Sequence, residues 1–223
     1  MLQKSTLNFL KNLAKNNTKE WFDAHRKDYE VAKEDYIQLC DAIIKNFCKK
    51  DKDFETLEAK KCLFRINRDI RFSKDKSPYK INFGASFERG GRISPYAGYY
   101  LHVQPGNNSF VAGGVWQPEA DKMKLIRQEI DYNWDEFKKI VNTKKFKATF
   151  GDLERTKETS LSREPKGYDK DNPAIDYLKL KSWVVSAPIT DEGLMNKDGL
   201  KKILAAFETM QPMINFLNQA LAQ

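Results

Sequence analysis

Only two histidines, His25 and His102, and three cysteines, Cys40, Cys48 and Cys62, occur in 223 residues. No CxxC or HxxxH pair is present, so a zinc site of ordinary ligand spacing is not expected. Three thiols are too few for a disulfide framework. No apolar run approaches the ~18–20 residues that cross a bilayer. The opening MLQKSTLNFLKNLAKNN has neither a continuous apolar stretch nor a small-residue cleavage site, so no secretory signal is expected. A cytoplasmic protein without a membrane partner is the expectation. GxSxG elbows, P-loops and GxGxxG turns are missing too, so no motif names a reaction or a cofactor.

What is present suits a folded core: 40% of residues are hydrophobic, 31% are charged and the net charge is +8. Residues 1–223 are expected to form a single domain. Thr18 is placed to cap a helix. From there Phe22, His25, Tyr29, Ala32, Tyr36, Leu39 and Ile43 recur at steps of three and four, the stripe of one long amphipathic helix. Cys62, Phe64, Ile66, Ile70 and Phe72 share one parity and read as a strand. Phe83 to Phe87, Tyr99 to Val103 and Phe110 to Trp116 also alternate. The PGNN at Pro105–Asn108 joins the last two as a hairpin. Met123 to Val141 returns to helical spacing with a break near Asn133. Residues 143–171 show little periodicity, and Trp183 to Ile189 reads as another strand. A last helix starts near Leu200, with Pro212 expected to kink or split it. The class is α+β, a central antiparallel meander flanked by N-terminal and C-terminal helices.

The charge is uneven. Residues 60–92 carry ten cations against three anions, an excess of seven, so the rest of the chain carries one. At their centre is RINRDIRFSKDKSPYK, with Arg65, Arg68 and Arg71 at every third position. A guanidinium fork matches carboxylate and phosphate oxygens. On a regular strand Arg68 faces away from the other two, so a bulge or turn near Asn67–Asp69 is needed for the three to converge. Asp69 and Asp75 offer the alternative of internal pairing, and a solvated basic edge strand is the plainer reading. A second polar stretch, residues 161–182 with PKGYDKDNP at its centre, offers Arg163, Lys166 and Tyr168 as further donors to a pocket, or forms an ordinary surface loop.

His25 sits on the apolar stripe and reads as a packed histidine. His102 shares its face with Tyr100 and Gln104 and is the better acid–base candidate, although a structural role is the plainer one. The three cysteines read as small hydrophobes. Phe64, Phe72, Tyr79, Phe83 and Phe87 interleave with the cations, but their parity places most of them in the core rather than on a base-stacking surface.

NNTKEWFDAHRKDY, RINRDIRFSKDKSPYKINF with GYYLHVQPGNNSFVAGGVWQP, and PKGYDKDNPAIDYLKLKS occur in that order. Together they resemble the conserved hypothetical bacterial proteins of domain-of-unknown-function family 2461, from about Leu7 to about Phe216. The resemblance implies no established reaction, cofactor or substrate. Asn172 departs from it, standing where a histidine is usual, so no imidazole mechanism is implied there.

The resulting expectation is an anionic ligand, phosphorylated or carboxylated, or a nucleotide, held by an Arg-rich cleft on the sheet. Arg65, Arg68 and Arg71 would bind it. Lys76, Tyr79 and Lys80 would form one rim, and Arg163, Lys166 and Tyr168 the other. His102 or Asp69 would move any proton, with no metal. The alternatives are a nucleic-acid-binding module without catalysis and a non-catalytic interaction protein whose arginines serve internal ion pairs. Sequence fixes neither an enzymatic role nor an oligomeric state.

Overall fold

Four strands carry the alternation of the middle of the sequence. In the computed structural model, which describes residues 1–92 and 94–222, they are β1 (Phe83–Phe87), β2 (Gly98–Val103), β3 (Ser109–Val115) and β4 (Trp183–Ile189). They form one antiparallel meander in the order β1-β2-β3-β4, as the hairpin signal and the paired alternations require. Residues of β3 are alternately buried and half-buried along its whole length. Ten helices complete the α+β fold among the described residues. None of them is long and apolar enough to cross a membrane.

The chain divides into two compact units. The first comprises residues 1–92, 100–111 and 188–204; the second holds the described residues of 94–99, 112–187 and 205–222.

In the first unit α3 (Arg26–Phe47) packs on β1, and α1 (Lys4–Lys15) and α2 (Lys19–Ala24) pack against α3. Thr18 caps α2, its hydroxyl accepting from the Trp21 amide at 3.2 Å. The single long helix expected from Phe22 onward is divided at His25. Its ring stacks on Trp21 at 4.0 Å, and its Nδ1 lies 2.8 Å from the Trp21 carbonyl, in donor position. A side chain that competes for that carbonyl loosens the turn. Phe83 stacks on Tyr36 of α3, whose hydroxyl donates to the Leu101 carbonyl at 2.8 Å. The PGNN turn is held from outside itself. Asp191 accepts the Gly106 and Asn107 amides at 2.8 and 3.0 Å, and Asn107 Oδ1 accepts the Asp191 amide at 2.9 Å.

The strand expected over Cys62–Phe72 does not form as a ladder. Cys62 ends a short helix, α4 (Ala59–Cys62), and only isolated bridges follow, Leu63 to Ala85 and Asn67 to Tyr79. Pro78 has no amide to donate. Asp69 and Asp75 take the amides of Arg71 and Ser77 two residues on, at 3.3 and 2.9 Å, which bends the backbone into turns. Residues 63–82 therefore form an arm.

In the second unit α5 (Ala120–Tyr132) and α6 (Trp134–Val141) break at Asn133 as expected. α7 (Lys144–Phe150) occupies a stretch that shows little periodicity. α8 (Ile175–Leu178) follows Asn172, whose Oδ1 accepts the Ala174 amide at 2.8 Å while its Nδ2 donates to Asp131. α9 (Asp191–Met195) belongs to the first unit, and α10 (Gly199–Leu221) runs on through Pro212. Phe207, Met210, Met213, Ile214 and Leu217 are all buried around that proline, and this packing outweighs the one helix bond it removes. The tightest approach is at Gly114, with φ +128°, where an added Cβ would lie 1.8 Å from the Trp183 carbonyl oxygen. Both the left-handed backbone and the contact exclude a side chain. Gly114→Ala is therefore expected to destabilise the protein by roughly 3 kcal/mol or more. A urea midpoint equal to the parent's would refute this.

Candidate functional site

The arm decides which of its cations are available. Arg68 is inward and half-buried: its guanidinium meets Asp75, the Ser77 carbonyl at 3.2 Å and the Ser73 hydroxyl at 3.3 Å. Arg71 lies in solvent and forks onto Asp69 at 3.0 and 2.7 Å. These contacts hold both carboxyls below the ordinary range, Asp75 at about 2. For Asp75 the Ser77 bonds contribute most and Arg68 adds to them. Asp69 thus remains ionised and committed, with its oxygens on Arg71 rather than poised to exchange a proton. Lys76 Nζ donates to the Ile70 carbonyl at 3.0 Å. Tyr79 is buried, stacked on Phe22 at 4.0 Å, and Asn17 brackets its backbone at 2.9 and 3.1 Å.

Arg65, Lys80 and Arg92 are placed differently. Lys80 Nζ stands 5.4 Å and Arg92 Cζ 5.2 Å from the ring centre of half-exposed Phe64. Lys80 Nζ also donates to the Arg65 carbonyl at 3.0 Å. No carboxylate makes an ion pair with any of the three among the described residues. Burial, then the charges of Arg65 and Arg92, lower the Lys80 pKa. Like charges this close repel, and an anion would relieve the strain.

Beside them lies the face of the sheet turned away from Tyr36. Tyr100 of β2 lies across Gly84 of β1, where an added Cβ would come within 2.5 Å of its hydroxyl oxygen. Phe64 meets Tyr100 edge-on at 6.0 Å. The Tyr100 hydroxyl and Asn82 Nδ2 each lie 3.3 Å from His102 Nδ1, and His102 Nε2 lies 3.0 Å from Gln104 Oε1. With Nε2 donating to Gln104, Nδ1 keeps its lone pair and accepts from both neighbours. Phe110 stacks on the imidazole at 4.6 Å. Burial lowers the His102 pKa and raises that of Tyr100. The pair is therefore a neutral imidazole beside a neutral phenol.

Glu88 and Arg92 were not singled out by sequence reasoning. The available signal was register: Gly84, Ser86 and Glu88 share the parity that faces Tyr100. Ser86 donates its hydroxyl to Glu88. Burial pushes the Glu88 carboxyl from 4.5 up to about 7, against the opposing pull of Ser86 and Arg92. Cys40 and Cys62 are buried thiols with raised pKa values, both chiefly through burial. Among the described residues no three His, Cys, Asp or Glu side chains gather as a metal-holding group.

Arg163, Lys166 and Tyr168 belong to the second unit. The first two are exposed. Tyr168 is half-buried and its pKa is raised, by burial first and then by Asp131.

The buried Glu88 carboxyl makes stability depend on pH. Between 4.5 and about 7 the folded chain holds a proton that the unfolded chain releases, so stability falls as pH rises through that window. Glu88→Gln is expected to flatten this fall in thermal melts. A variant profile parallel to the parent's would remove Glu88 as its source.

Comparison with known proteins adds a family and no activity. No curated protein and no solved structure gives a significant match. Residues 5–216 match the conserved hypothetical protein family DUF2461, and with nearly the whole chain covered the protein belongs to that family.

Proposed function

We propose that the first unit binds an anionic ligand, phosphorylated or carboxylated, on the outer face of its sheet. Arg65, Lys80 and Arg92 receive the charge and Phe64 with Tyr100 forms the apolar floor. A cytoplasmic setting is part of the proposal, in keeping with three cysteines that stand as free thiols. The carrying observation is Lys80 and Arg92 over Phe64, with Arg65 close enough for its charge to lower the Lys80 pKa, and no ion-pairing carboxylate on the three among the described residues, while Arg68 and Arg71 in the same arm each have one. Charge-assisted hydrogen bonds to phosphate or carboxylate oxygens are the strong class. They would offset a repulsion that now depresses the Lys80 ammonium. Neither Asp69 nor Lys76 is needed in this reading; His102 contributes by holding Tyr100 in place over Gly84.

Titration with inorganic phosphate, pyrophosphate, citrate and a nucleoside triphosphate, followed by calorimetry and thermal shift, tests the proposal. Binding by the parent should raise the melting temperature with ligand concentration. Lys80→Ala and Arg92→Ala should each weaken binding about 10-fold or more, the loss of one hydrogen bond between charged groups. Arg71→Ala should leave affinity unchanged. A parent protein that binds none of these anions at millimolar concentration, or variants at Lys80 and Arg92 that bind like the parent, would overturn the reading.

A further inference from the structure

The anion site leaves one costly feature of the same arm without a role. Phe72 is 95% exposed. It stands at the corner of a turn closed by the Ser73 amide on the Ile70 carbonyl at 3.3 Å. The turn is built rather than loose. Lys76 Nζ also bonds the Ile70 carbonyl, Arg68 bridges to Asp75 behind the tip, and Arg71 is forked onto Asp69. A phenyl ring is thus displayed by a braced loop where it covers nothing. Arg71 Cζ lies 5.7 Å from its ring centre, and Lys74 is exposed two residues on.

Phe64 at the base of the arm repeats the arrangement, a partly exposed ring with Lys80 and Arg92 over it. Two aromatic rings, each beside cations, therefore lie on one segment that carries seven of the chain's eight excess charges. We infer that the polyanion taken by this arm is a single-stranded nucleic acid, with bases stacked on Phe64 and Phe72 and phosphates held by Arg65, Lys74, Lys80 and Arg92. The inference rests on the anion-binding reading above and names its ligand class.

Three observations favour this ligand. A small anion needs only the cluster at Phe64 and gives Phe72 nothing to do. Every base has a flat face, so stacking on an exposed ring needs no sequence motif, and a single strand presents those faces where a duplex hides them. An anionic membrane draws on several apolar side chains beside the cations, whereas the neighbours of Phe72 at the tip are Arg71, Ser73 and Lys74.

The test is fluorescence anisotropy of the full chain with labelled oligo-dT and oligo-U of about 4 and about 16 nucleotides. The longer strands should bind more tightly. Their affinity should fall with salt at a log–log slope of about −2 to −3, as expected for three or four phosphates on a single strand. Phe72→Ala should weaken the longer strand about 10-fold while leaving both the melting temperature and inorganic-phosphate binding unchanged. A duplex of equal length should bind more weakly than the strand, and phosphatidylserine vesicles should not bind. Phosphate binding without oligonucleotide binding would overturn this inference and leave the anion site standing; absence of both would remove the two together. Oligonucleotide affinity indifferent to Phe72→Ala, or a preference for vesicles, would also overturn it.

Discussion

Asp75 takes the Arg68 guanidinium on one oxygen and the amide and hydroxyl of Ser77, at 2.9 and 2.7 Å, on the other. This single carboxylate closes the arm. It converts a stretch whose side chains alternate like a strand into a braced loop, and it removes the most buried of the three arginines from the charges open to a ligand. Asp69 does the same for Arg71. The two acids lie within the basic run itself. Among the described residues Lys80 and Arg92, over Phe64, make no such ion pair. The positions of the two carboxylates, more than the count of arginines, set which of these cations are already paired.

Elements whose hydrogen bonds are local were legible in the sequence. Thr18 needs only the amide three residues on, the PGNN turn is signalled by its own four residues even though Asp191 also braces it, and the alternation of β2 and β3 needs only a buried face. The arm was not legible for a specific reason. Its parity, from Cys62 to Phe72, is that of a strand, but the acceptors that decide its path are side-chain oxygens of Asp69 and Asp75 and the missing amide of Pro78. Parity reports which side chains alternate; it does not report what the backbone bonds to. The same holds at Pro212, where burial on both sides of the proline keeps α10 continuous, and at α7, whose one deeply buried residue, Phe146, is too little for a period to show.

The candidate site divides along the same line. His102 with Tyr100 and Gln104 on its face was readable from the step of two along β2. Arg65, Arg68 and Arg71 were readable as a set, but which of them would be neutralised depended on partners two and seven residues away, a choice that composition leaves open. Phe72 carries an apolar parity, yet the turn at Ile70–Ser73 rotates it out of any core. Glu88 and Arg92 became visible only once burial was known, because an acidic residue after a strand and an arginine after two glycines look like ordinary loop polarity.

These pieces meet at Arg92, which lies over Phe64 and whose charge also lowers the Glu88 pKa against the rise from burial. While the Glu88 carboxyl keeps its proton, Arg92 faces no full negative charge nearby, and its donors are available to a ligand. Ionised, the carboxylate would attract the Arg92 charge, and under the proposed reading an anion would have to compete with it. Burial of Glu88 beside Ser86 therefore does more than cost stability. Under the proposed reading it would also hold back a carboxylate that could otherwise neutralise Arg92, as Asp75 and Asp69 neutralise their own arginines. The difference between the committed and the uncommitted cations of this arm comes down to which of three acids are held in water and which one is held away from it.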